Sequence, residues 1–159
     1  MNYQVPSATV EQTRELGKQL GECLRGGDVV ALIGDLGAGK TAFAQGVGEA
    51  FRVEGHMTSP TFTLIHEYSG RIKGSEVRLC HMDLYRLQHP EEAEVIGVQD
   101  MFQEDAVCLI EWPEIIEDLL PENCLIVEIR GSGEQMREIN FRSDENAWTQ
   151  RLSDLIGKF

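Results

Sequence analysis

Gly34-Asp35-Leu36-Gly37-Ala38-Gly39-Lys40-Thr41 fits the pattern G-x-x-x-x-G-K-[ST] at every fixed position. Upstream, Val29-Val30-Ala31-Leu32-Ile33 is an unbroken apolar run that predicts a buried strand. Downstream, Ala42-Phe43-Ala44-Gln45-Gly46-Val47-Gly48-Glu49-Ala50-Phe51 predicts a helix, although Gly46 and Gly48 lower its intrinsic propensity. Strand, glycine loop and helix in that order make a phosphate cradle. The glycines let backbone N–H groups converge on an anion, and the helix N-terminus adds partial positive charge. In this arrangement Lys40 reaches the β- and γ-phosphates and the Thr41 hydroxyl binds Mg²⁺. The stretch predicts nucleotide binding.

The rest of the chain sets limits on that reading. Its 159 residues suit one domain, residues 1–159, with room for a real core. A hydrophobic share of 42% argues against disorder, and no apolar run approaches the length of a membrane span. Met1-Asn2-Tyr3-Gln4-Val5-Pro6-Ser7 lacks the basic and apolar regions of a secretory signal, so a cytoplasmic protein is expected. Cys23, Cys80, Cys108 and Cys124 are scattered without C-x-x-C spacing, and reduced thiols are expected. His56, His66, His81 and His89 show no metal-ligand spacing and read as core, surface or loop residues. A net charge of −13, with lysine only at Lys18, Lys40, Lys73 and Lys158, leaves no cationic cluster to grip nucleic acid or anionic lipid unaided. Such a balance suits a soluble enzyme or a subunit that docks on a basic partner.

Working outward, Thr9-Val10-Glu11-Gln12 has capping-box form and opens a helix that Gly26-Gly27 stops. Thr61-Phe62-Thr63-Leu64-Ile65-His66-Glu67-Tyr68 alternates and predicts a strand. Ser69-Gly70 and Lys73-Gly74 then make a turn into an antiparallel neighbour over 77–83. His89-Pro90-Glu91-Glu92 starts a helix. Ala106-Val107-Cys108-Leu109-Ile110 is a central strand ending at Glu111, and 115–120 is a short helix. Segments 124–129 and 137–141 flank Gly131-Ser132-Gly133 as a hairpin. A last helix from near Ser143 buries Trp148, Leu152, Leu155 and Ile156. The sum is a single α/β domain of P-loop NTPase type, with a mixed parallel and antiparallel central sheet flanked by helices.

Hydrolysis or transfer needs an acid near Mg²⁺ at the tip of a neighbouring strand. Two residues qualify by pattern: Asp83 after Leu79-Cys80-His81-Met82, and Glu111 after Val107-Cys108-Leu109-Ile110. Pattern alone does not choose between them. Thr58-Ser59-Pro60-Thr61-Phe62-Thr63 is hydroxyl-rich and follows the helix leaving the phosphate loop, where switch segments of nucleotide hydrolases sit. On pattern alone a Ser-Pro turn entering a strand is the more ordinary reading. Trp112, between Glu111 and Pro113, reads as core or interface filler. No Asn-Lys-x-Asp occurs, and Asp154-Leu155-Ile156-Gly157 lies in the terminal helix, so ATP is favoured over GTP.

Gly34 to Thr41, Ser59-Pro60-Thr61-Phe62-Thr63-Leu64, His81-Met82-Asp83-Leu84-Tyr85-Arg86-Leu87 and Glu111-Trp112-Pro113 together resemble the TsaE (YjeE) family. These are bacterial P-loop ATPases required for threonylcarbamoyladenosine modification of tRNA, and the resemblance spans nearly the whole chain. It implies an ATPase that binds ATP with Mg²⁺, hydrolyses it weakly alone, and does so better on the partner proteins TsaB and TsaD. TsaD performs the transfer to adenosine 37, so tRNA is met only through the complex. It further implies that Thr41 and Glu111 hold Mg²⁺ and that Leu36, Gly37, Ala38, Gly39, Lys40 and Thr41 wrap the phosphates. Asp83 becomes the catalytic or water-positioning carboxylate, and Ser59, Pro60 and Thr61 the switch. Thr13 and Arg137 approach the nucleotide base. Two other classes share a phosphate loop: a small-molecule kinase, which would put phosphate on an added metabolite, and a nucleotide-gated binding module, which would keep its role without Asp83.

Overall fold

The parallel centre of the sheet follows from burial on both faces. In the computed structural model, which describes residues 1–35, 37–55, 57–58, 64–131, 134, 136–144 and 146–156, Val29–Ile33 forms β2. It lies between β5 (Ala106–Glu111) and β6 (Leu125–Arg130), parallel to both, and β4 (Ser75–Asp83) pairs in parallel with β5. The first four residues of β2 and all of β5 are buried, as strands covered by helices on both sides require. Antiparallel strands close the two flanks: β3 (Ile65–Ile72) on β4, and β7 (Arg137–Arg142) on β6, with β1 (Asn2–Ser7) beyond it. The order β1-β7-β6-β2-β5-β4-β3 makes one seven-stranded mixed sheet.

One face carries α1 (Val10–Cys23), α2 (Lys40–Ala50) and α4 (Asn146–Ile156). Leu16, Leu20, Phe43, Val47, Phe51, Trp148 and Leu152 pack there against Val30, Leu32, Leu79, Leu109, Val127 and Phe141. Each such side chain contributes roughly 1.5–3 kcal/mol when taken out of water. Thr9 caps α1 by accepting from Gln12 N at 3.1 Å, while Gln12 Oε1 accepts from Ala8 N at 2.7 Å, one residue before the Thr9 N–H that the expected capping box would engage. On the opposite face α3 (Pro90–Val95) and 3₁₀ turns cover Ala31, Cys80, Met82, Cys108 and Ile110.

Four local expectations change. The strand expected from Thr61 begins at Ile65, and residues 59–63 lie outside the described ones. Ser69-Gly70 lies inside β3 instead of turning. Phe51 O accepts from Arg71 N at 2.7 Å, and a Cβ on Gly70 would stand 2.9 Å from that carbonyl oxygen. The glycine marks close backbone approach, and the turn is made by Lys73 and Gly74, both at positive φ. The expected helix over 115–120 is a 3₁₀ stretch, Pro113–Leu119, broken at Ile116. β1 is an additional strand, held by its pairing with β7. In the terminal helix Trp148, Leu152 and Leu155 are buried as expected, while the Ile156 side chain falls outside the described atoms.

Strand direction then fixes where chemistry can sit. β2, β4, β5 and β6 all end at one edge of the sheet. β3 and β7 begin there and β1 ends there. Leu32 is in register with Glu111, and Glu111 with Asp83. Gly34, Asp83, Glu111, Arg137 and the start of α1 therefore meet at the carboxyl ends of the parallel strands, where open α/β sheets bind ligands.

Candidate functional site

The glycine loop turns by adopting backbone conformations closed to other residues. Gly37 has φ 81° and Gly39 φ 115°, in the region where a Cβ is strained. Gly39 stands at the N-cap of α2 and supplies no side-chain acceptor, so the first-turn N–H groups have no side-chain cap, the arrangement of helix starts that bind anions. Lys40 and Thr41 are the first two residues of that helix.

Lys40 folds inward. Its residue is only 6% exposed, and its Nζ lies 4.0 Å from Glu111 Oε1 and 4.0 Å from the centre of the Trp112 ring. Among the described residues no hydrogen-bond partner satisfies that ammonium. Burial pushes its pKa down, and Glu111 and then Asp83 oppose the shift. A buried cation without an acceptor is unstable on its own account. Asp83 is buried beside it and accepts from Tyr85 N at 3.0 Å through Oδ1. Burial pushes the Asp83 pKa up, the Tyr85 N–H pulls against this, and the Glu111 charge adds to the rise. Two carboxylates on adjacent strand tips and one unsatisfied ammonium fit a divalent cation and a phosphate chain respectively, each supplying what the other lacks.

The remaining residues expected at the site are Arg137, Thr13 and the loop glycines, with four more outside the described residues. Arg137 donates from Nε to Ala38 O at 2.9 Å and from Nη2 to Gly37 O at 3.2 Å, bracing the loop from β7. Thr13 is buried with its hydroxyl 2.8 Å from Ser7 Oγ, and its methyl carbon would lie 3.4 Å from a Cβ on Gly39. Thr13, Gly37, Ala38, Gly39 and Arg137 share the wall of a cavity of about 270 Å³. Leu36, Ser59, Pro60 and Thr61 lie outside the described residues.

Residues 7–139 match the family described as threonylcarbamoyl adenosine biosynthesis protein TsaE. The chain belongs to the TsaE family. It is 37% identical over 145 residues to the tRNA threonylcarbamoyladenosine biosynthesis protein TsaE of Bacillus subtilis, across 91% of this chain and 88% of that protein. The TsaE of Haemophilus influenzae is 46% identical over 101 residues, 64% of this chain and 61% of that protein. The crystal structure of Bacillus subtilis YdiB superposes with a TM-score of 0.78 at 32% identity, covering 99% of this chain and 96% of that one. The fold of this TsaE family member is thus a single α/β layer arrangement around one mixed sheet.

Two residues at the site are not apparent from sequence pattern. Trp112 sits at φ 55°, ψ 56°, a conformation that costs a bulky residue on the order of 1–3 kcal/mol. That backbone turn lays its ring over Lys40, with the Tyr85 ring 4.9 Å away. Nothing in the letters E-W-P announces the positive φ. His81, 1% exposed, has Nε2 2.6 Å from Glu111 Oε2. The i, i+2 relation of His81 to Asp83 on one strand face was the available signal.

Proposed function

We propose that this chain is an Mg²⁺-dependent ATPase serving threonylcarbamoyl modification of adenosine 37 in tRNA, stimulated by a TsaB–TsaD partner complex. The observation that carries the reading is the buried, acceptor-less ammonium of Lys40 at the head of α2, beside Asp83 and Glu111 on adjacent strand tips. Family membership supports the pathway, since the similar proteins are named for it.

In this reading Leu36, Gly37, Ala38, Gly39, Lys40 and Thr41 wrap the phosphates, with backbone N–H groups as the principal donors. Lys40 leaves the Trp112 ring for the β- and γ-phosphates, exchanging a cation–π contact of about 0.5–2 kcal/mol for charge-assisted hydrogen bonds. Thr41 and Glu111 hold Mg²⁺, which when bound neutralises charge on the phosphate oxygens. Asp83 holds the attacking water, and the raised proton affinity that burial gives it suits it to take the water's proton. Thr61, with Ser59 and Pro60, forms the switch that senses the γ-phosphate. Thr13 and Arg137 flank the base across the cavity beside the loop.

Weak turnover alone follows from charge. Phosphoryl transfer spreads negative charge that an arginine finger typically stabilises by about 10³–10⁵ in rate. The partner complex supplies that cation or orders the switch, and a net charge of −13 suits docking on proteins while they hold the tRNA. ATPase assays with and without TsaB–TsaD, with Lys40→Ala as control, test this. Stimulation that vanishes in Lys40→Ala is expected. Turnover on the order of tens per second by the isolated chain, unchanged by the partners, would contradict it.

A further inference from the structure

We propose that His81 is a positioning residue: it ties down one oxygen of Glu111 so that the other stays turned toward Lys40 and the phosphate loop. The inference rests on the reading of Glu111 as an Mg²⁺ ligand. β4 and β5 run in parallel with Asp83 opposite Glu111, which sets His81 two residues back on the same sheet face. A carboxylate offers only acceptors, so His81 Nε2–H donates to Glu111 Oε2, at 2.6 Å. Glu111 Oε1 is the oxygen 4.0 Å from Lys40 Nζ. The two oxygens thus have separate tasks.

An ordinary core residue is the competing explanation for His81, and the surroundings argue against it. Its strand neighbours Leu79, Cys80 and Met82 are buried hydrophobic residues. An imidazole at this place must be desolvated, and its Nδ1 has no hydrogen-bond partner among the described residues. A leucine would fill the volume without that cost. What the imidazole adds is the one bond to Glu111. The last torsion of a glutamate side chain is broad, so without that bond the carboxylate is free to swing. Its Oε1 would then no longer be held in one place for a metal ion. Partners that orient metal-binding groups typically change metal affinity by about 10–100-fold.

Glutamine and asparagine separate the roles, because a glutamine amide reaches the place of Nε2 whereas an asparagine amide reaches only that of Nδ1. The experiment titrates Mn²⁺ into the full chain saturated with ADP, read by electron paramagnetic resonance, for wild type, His81→Gln, His81→Asn, His81→Leu and Glu111→Gln. His81→Asn and His81→Leu should weaken Mn²⁺ binding by about tenfold or more, with metal-free ADP affinity unchanged, and His81→Gln should stay within about threefold of wild type. If His81→Leu does not fold, the asparagine and glutamine pair decides. Wild-type Mn²⁺ affinity in His81→Asn with weakened binding in Glu111→Gln overturns the positioning role and leaves Glu111 as ligand. Equal loss in His81→Gln and His81→Asn also overturns it, since the donor atom would not matter. Wild-type affinity in Glu111→Gln overturns the reading of Glu111 and the positioning role with it.

Discussion

Replacing Gly46 by alanine should destabilise the protein, although alanine is the better helix former. Gly46 lies within α2 where that helix crosses α1. An added Cβ there would stand 1.9 Å from Arg14 O and 2.8 Å from Lys18 N, both backbone atoms of α1. An ordinary C···O contact needs about 3.3 Å, so the helices must separate by more than an ångström locally. No side-chain rotation relieves a clash with backbone. Overpacking costs typically 1–3 kcal/mol, and this case belongs at the upper end. Helix propensity returns about 1 kcal/mol. The net expectation is a loss of about 2 kcal/mol, or roughly 4–8 °C in Tm for a chain of this size. Because α1 also carries Thr13 against Gly39, the separation should weaken nucleotide binding as well. Gly48→Ala is the contrast: its Cβ meets Met57 Sδ at 2.1 Å, the flexible part of a side chain that can turn away. Urea unfolding of both variants decides the matter. Gly46→Ala as stable as wild type, or Gly48→Ala the costlier of the two, would refute the packing argument.

Asp83→Asn should abolish ATP hydrolysis while raising the Tm of the unliganded chain at neutral pH. The folded-state pKa of Asp83 is raised by burial, so its stability contribution is full below the ordinary carboxylate range and lost as pH rises through the raised value. The advantage of the variant should therefore shrink as pH falls, which melts across a pH series will check. Arg151→Met should cost about 3 kcal/mol, because it leaves the buried Asp28 carboxylate with the Arg25 N–H but without the cation that binds it together with Cys23 O. Asp28→Asn in the same chain should recover part of that loss in a denaturant double-mutant cycle. Tryptophan fluorescence should change when MgATP draws Lys40 off the Trp112 ring. The change should persist in Trp148→Phe and disappear in Trp112→Phe.

The centre of the fold was open to sequence reading because its signals are local and strong. Val29–Ile33 and the strand residues 106–110 before Glu111 are apolar because both faces of the sheet are covered there, and the glycine loop between strand and helix has few alternative conformations. Asp83 and Glu111 were legible as strand-end acids, and the parallel register β4–β5 brings them side by side. β1 was not legible: its six residues are mixed in character, and what makes them a strand is β7, more than a hundred residues away. Ser69-Gly70 misled because glycine signals a turn and a close approach with the same letter, and only Phe51 distinguishes them. His81 and Trp112 escaped for a related reason. Their roles depend on what they face, Glu111 and Lys40, and not on their own neighbours in sequence.

Calorimetric titration of ATP with Mg²⁺ into the isolated chain, beside Lys40→Ala and Glu111→Gln, addresses the nucleotide site most directly. One saturable site is expected in wild type, lost in Lys40→Ala and indifferent to Mg²⁺ in Glu111→Gln. Identical isotherms for all three, or no heat from wild type, would contradict the account.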